Sequence, residues 1–153
     1  MYVVLFRQNY LNPVSWLIRI VTGSHYTHAA ILLDNGDIYD ASESRGSVAH
    51  NGTISEKNRE VIIFKINDTT ENPLEHITPY IGREYDWKGI IGWLFRIQDK
   101  KRFYCFEFVW EILKVKGIVS TGKKRITAND LIEVLSNASY VGSSKTALIN
   151  LGK

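Results

Sequence analysis

A single cysteine stands in this 153-residue sequence, so an internal disulfide is impossible and the chain suits a reducing compartment. Long hydrophobic runs are missing too. The longest candidates, Pro13 to Val21 and Ile90 to Ile97, are broken by Arg19 and Arg96 and fall short of the roughly 18 apolar residues of a spanning helix. No transmembrane segment is expected. Met1 to Phe6 lack the basic stretch and small-residue cleavage site of a secretory signal and read as a first strand, so the expected location is cytoplasmic. No repeat, low-complexity tract or linker rich in Pro, Gly or Ser divides the chain. With 44% hydrophobic residues, a single domain over residues 1–153 with a sizeable core is expected.

Charge of one sign is also scarce. The net charge is +3, and the cations gather only in two short clusters, Lys100-Lys101-Arg102 and Lys123-Lys124-Arg125, of the kind that marks solvated loops; no nucleic-acid partner is expected. There is no Cys-x-x-Cys and no His-Glu-x-x-His. His25 and His28 have a spacing that sends strand side chains to opposite faces, and His50 and His76 are distant in sequence, so no metal site is expected. Gly82, Gly89 and Gly92 lack the spacing and the following Lys-Thr of a phosphate cradle, and no cofactor is expected.

What is present is an ordered alternation of strands and helices. Asn12 and Pro13 open a helix, Pro13 to Thr22, that Gly23 ends. Thr27 to Leu33 and Ile38 to Ala41 read as two strands joined by the hairpin signal Asn35-Gly36. Ser42 to Lys57 reads as an irregular polar loop with a turn at Asn51-Gly52, and Glu60 to Ile66 as another strand. Asn72-Pro73 begins a short helix ending near Gly82, and Trp87 to Ile97 gives a further helical segment. A helix runs from about Cys105 to Lys116 and stops at Gly117, and Thr127 with Asp130 has the pattern of a capping box for Ala128 to Leu135. Gly142-Ser143-Ser144 reads as a turn. Trp16, Trp87, Trp93 and Trp110 are expected in core and helix packing. The sum is an α+β fold, an antiparallel sheet packed against helices.

Cys105 opens an amphipathic run directly after a polar, basic stretch, at a boundary between loop and helix. The N–H groups of a helix start favour a thiolate, and a nearby histidine can share the proton. Buried cysteines also serve as small hydrophobes, and a strand histidine such as His28 also serves as a satisfied core residue. Glu107, about 200° around the helix from Cys105, faces away from any such pair.

Five segments together resemble the circularly permuted papain-like cysteine hydrolases of the NlpC/P60 superfamily, in its YiiX-like branch. They are Trp16 to Arg19 with Thr22-Gly23-Ser24, the Thr27-His28 strand, Ile38-Tyr39-Asp40-Ala41, Gly82-Arg83-Glu84-Tyr85-Asp86, and Tyr104-Cys105-Phe106-Glu107-Phe108-Val109. Lecithin:retinol acyltransferase is a more distant cousin. The resemblance implies a papain-like fold with Cys105 as nucleophile at a helix N-terminus, His28 as its base and Asp40 as the group that orients the imidazole. A residue on the hairpin partner strand can lie beside His28 about 5 Å across the ladder. Tyr85 matches the tyrosine of the family's Gly-x-x-Tyr motif and becomes a candidate oxyanion donor beside the N–H of Cys105.

The expected activity is hydrolysis of an amide bond in a peptide, isopeptide or peptidoglycan stem peptide, through a thioester. A lipid acyl hydrolase or acyltransferase is the second reading. A binding module without turnover is the third, because Phe106 stands where relatives carry a small hydroxyl residue. Oligomeric state is left open.

Overall fold

The computed structural model describes residues 1–42, 45–53, 60–67, 72–86, 103–120, 123, 125–136 and 139–143, with 51–53 and 139–143 described by their backbone alone. The expected helix Trp87 to Ile97 and the basic cluster at 100–102 lie outside the described residues. Six strands form one antiparallel sheet: β1 (Tyr2–Arg7), β2 (Tyr26–Leu32), β3 (Asp37–Ser42), β4 (Ser47–Thr53), β5 (Val61–Lys65) and β6 (Ser139–Ser143), in the order β4-β3-β2-β1-β5-β6. Around it run α1 (Pro13–Thr22), α2 (Leu74–Ile77) with a following 3-10 turn (Thr78–Tyr80), α3 (Cys105–Val115) and α4 (Ala128–Leu135). The α+β class is as expected from the sequence.

Strand alternation sorts the apolar residues onto two faces. Val3, Leu5, Ala29 and Ile31 pack with Phe108, Ile112, Leu113, Leu131 and Leu135 into the larger core, and α3 lies against both β2 and β3. Val4, Phe6, Ala30, Leu32, Ile38, Val61 and Ile63 form a second buried cluster on the other face. Strands buried on both faces read as near-continuous apolar runs, as Val3-Val4-Leu5-Phe6 does.

Two segments correct the sequence reading. The loop expected over Ser42 to Lys57 contains β4, an edge strand whose few apolar positions give little period-2 signal; Val48 is fully buried and His50 is exposed. Asn51-Gly52 makes no turn. Asp37 pairs with Thr53 and Tyr39 with His50, so two β4 residues face the single Ile38, and Asn51-Gly52 supplies the extra residue of a β-bulge. Gly142-Ser143, expected in a turn, belongs to β6, the opposite edge strand. Edge strands draw their definition from a neighbour's hydrogen bonds, which no local pattern announces.

Helix α1 has the expected ends and an unexpected orientation. Asn12 Oδ1 accepts from the N–H groups of Val14 (2.8 Å) and Ser15 (3.4 Å), and Gly23, at φ 67°, returns its N–H to the Arg19 carbonyl at 2.9 Å. The buried side chains are Ser15 and Ile18, whereas Ile20 is 73% and Trp16 45% exposed. Trp16 is therefore not a core residue, unlike the buried Trp110. Ser15 can face the sheet because its hydroxyl bonds Thr27 Oγ1 at 2.6 Å and accepts from the Asn9 N–H at 2.9 Å. A small, satisfied residue permits close approach, which rotates the bulkier Trp16 and Ile20 outward.

Candidate active site

The hairpin that brings β3 back along β2 turns at Asp34-Asn35-Gly36, with Gly36 at φ 93° and its N–H on the Leu33 carbonyl at 3.0 Å. The two strands pair through Ile31 with Tyr39 and Leu32 with Ile38, and the Leu33 N–H donates to the Asp37 carbonyl at 2.9 Å. Extending that register would set Asp40 opposite Ala30 and Ser42 opposite His28, so His28 and Asp40 are diagonal neighbours on one face. Beyond the paired segment they meet side chain to side chain. His28 Nε2 lies 2.7 Å from Asp40 Oδ2, and the Phe6 ring packs 5.5 Å from the imidazole.

Cys105 is the first residue of α3, and its thiol lies near enough to the His28 imidazole to raise that ring's pKa. Cys105, from a distant part of the sequence, thus lies in one row with the bonded pair His28 and Asp40. Cys105 is fully buried, and the row reaches solvent at His28, whose side chain is 15% exposed.

The electrostatics follow from that row. Burial works against a charge on His28, but the hydrogen bonds to Asp40 and Cys105, with their negative charge, outweigh it and push the imidazole pKa up to about 10. For Asp40, burial opposes ionisation; the bond and charge of His28, then the charge and bond of Arg45, prevail and hold the carboxyl below its ordinary range. Both shifts favour imidazolium against carboxylate for the His28–Asp40 pair at neutral pH.

Several flanking residues position this row. Tyr104, just before α3, sends its hydroxyl to the Ile126 carbonyl (2.7 Å) and accepts from the Ile126 N–H (3.0 Å), tying the helix start to the segment before α4. Glu107 Oε2 accepts from the Tyr104 N–H at 3.4 Å, so this carboxylate caps α3 and stays out of the row. Tyr85 is buried in the same apolar cluster as Cys105 and forms a β-bridge with Phe103, two residues before the cysteine. Its own N–H donates to the Gly46 carbonyl at 2.7 Å and so is not the group that would meet an oxyanion. Phe106 is a buried core residue packed edge-on against Tyr104.

The residue that sequence reasoning missed is Arg45. It lies in the polar stretch after β3, where nothing in the local pattern separates it from a solvated arginine, and its Nη2 bonds Asp40 Oδ1. His25 precedes β2 and is exposed. Among the described residues no group of three or more His, Cys, Asp or Glu could hold a metal, and no helix is long and apolar enough to cross a membrane. No protein-family model and no curated protein matches the chain.

Proposed function

We propose that the protein is a cysteine hydrolase of papain-like, permuted NlpC/P60 type that cleaves an amide bond in a peptide, isopeptide or peptidoglycan stem peptide. The observation that carries this reading is the row Cys105–His28–Asp40, a thiol at a helix start near an imidazole whose Nε2 faces a buried carboxylate. That is the nucleophile, base and orienting group of acyl transfer. In the proposed cycle the Cys105 sulfur attacks the acyl carbonyl, and the C–N bond breaks as His28 gives its proton to the departing amine. Water then hydrolyses the thioester, with His28 taking the water's proton and the sulfur leaving as thiolate. Asp40 keeps Nε2–H engaged and so presents Nδ1 to the sulfur throughout. The N–H of Cys105 and the hydroxyl of Tyr85 are the proposed oxyanion donors.

A binding module without turnover is the second reading, favoured by the full burial of Cys105 and by Phe106 beside it. Alkylation separates the two. Because Cys105 is the sole cysteine, a small thiol-directed electrophile reports on it alone. The enzyme reading expects modification at neutral pH faster than that of a free thiol, and at least a tenfold loss of that rate in His28→Ala. A Cys105 slower than a free thiol favours the binding module. Incubation with a peptidoglycan digest beside a phospholipid extract then tests the bond. Release of amines without fatty acid supports the amidase, and release of fatty acid moves the reading to a lipid acyl hydrolase.

A further inference from the structure

The two oxygens of the Asp40 carboxylate are divided between two partners: Oδ2 faces His28 Nε2 at 2.7 Å, and Oδ1 takes the Arg45 guanidinium. The carboxylate is 3% exposed, so this division is made away from water. We propose that Arg45 is a positioning residue of the candidate active site, holding the Asp40 carboxylate anionic and turned so that Oδ2 stays on His28. Its catalytic meaning rests on the cysteine-hydrolase reading above; its action on Asp40 does not.

The backbone places Arg45 for this task. Gly46 sits at φ 68°, a conformation that side chains resist, and its N–H bonds the Ser42 carbonyl at 2.9 Å, folding the chain back at the end of β3. Arg45 therefore returns over Asp40, five positions earlier. The Gly46 carbonyl accepts the Tyr85 N–H, and Tyr85 bridges Phe103 ahead of Cys105. The turn that carries the guanidinium is thus bonded to the segment that leads to the sulfur. Arginine suits the position because it stays charged at every relevant pH.

The charged groups facing Asp40 are few among the described residues. His28 comes from β2 and Arg45 from the turn; Cys105, from α3, acts through His28; and the cross-strand partner on β4 is the uncharged Ala49. Once the guanidinium is removed, Asp40 loses one of the cations that hold it ionised. As pH falls, Asp40 would then take up its proton sooner and release the imidazole from its anchor.

The test uses the full chain and two neutral variants, Arg45→Gln and Arg45→Met, the second keeping the aliphatic stem. The Asp40 carboxyl carbon is titrated by NMR, and the rate of Cys105 alkylation is followed against pH. Both variants should raise the Asp40 midpoint by about one unit, on the scale of a lost opposite charge at contact distance. The acid limb of the alkylation profile should move the same way, and Arg45→Lys should restore most of both shifts. A residue that merely stiffens the turn would lower stability in all three variants without moving the titration. An unmoved Asp40 midpoint in a folded neutral variant overturns the proposal, as does a moved midpoint with an unmoved alkylation limb. Wild-type Cys105 slower than a free thiol would instead sink the hydrolase reading, leaving the Asp40 titration to decide on Arg45 by itself.

Discussion

His28 and Asp40 titrate in opposite directions because each is the other's main partner. His28 is raised to about 10, so its contribution to stability is fully present below its unfolded value near 6.5 and disappears as pH climbs through about 10. Asp40 is lowered, so its contribution is present above the ordinary carboxylate range and is lost as pH falls through the folded value. The urea midpoint of the wild type should therefore decline between pH 7 and pH 10 more steeply than that of His28→Gln, and equal slopes would contradict the assignment. Asp40→Asn removes the anion but keeps a side chain of the same size. The NMR titration of His28 in that variant should drop by more than one unit from about 10, toward the ordinary histidine value.

Helix α3 carries the sulfur, and beyond its local Glu107 cap its start is held by the Tyr104 hydroxyl on the distant Ile126 backbone. Tyr104→Phe deletes one oxygen and leaves both the N–H and the carbonyl of Ile126 without that partner in a buried setting. A cost of about 1–3 kcal/mol is expected by urea denaturation. The same substitution should slow Cys105 alkylation, because the residue before the nucleophile loses its tether; unchanged stability and unchanged alkylation together would remove Tyr104 from the site's support. Helix α4 shows the contrasting case of a start written locally. Thr127 Oγ1 accepts from the Asp130 N–H at 3.3 Å and the Asp130 carboxylate accepts from the Thr127 N–H at 2.7 Å, the reciprocal pair that a Thr-x-x-Asp sequence announces.

Across the whole molecule, burial separates side chains that the sequence treats alike. Ile18 and Ile20 lie two residues apart on α1, yet one is 6% and the other 73% exposed. Ile18→Ala should cost about 2–5 kcal/mol, because methylene groups leave a packed core and a cavity remains. Ile20→Ala should stay within about 0.5 kcal/mol. Chemical denaturation of the two variants checks this directly, and equal costs would mean that α1 docks through a different face. The six-stranded sheet has a comparable lesson. Its central strands β1, β2 and β5 are visible as apolar runs, whereas β4 and β6 exist by pairing with neighbours.

The chain's own pattern determined the features that depend on near neighbours. Asn12 and Pro13 start α1, Gly23 ends it, Asn35-Gly36 turns the hairpin, and Thr127 caps α4, since each effect is a hydrogen bond or backbone angle within a few residues. The pairing of Cys105 with His28 and Asp40 was legible only through a resemblance in motif order, because nothing local relates residues so distant. Tertiary structure alone decided which face of α1 is buried, that Asn51-Gly52 is a bulge, and that Arg45 reaches Asp40. Those outcomes depend on which strand lies alongside and how closely a helix can approach. Distances across the fold govern them, and the order of residues along the chain does not encode those distances in any short window.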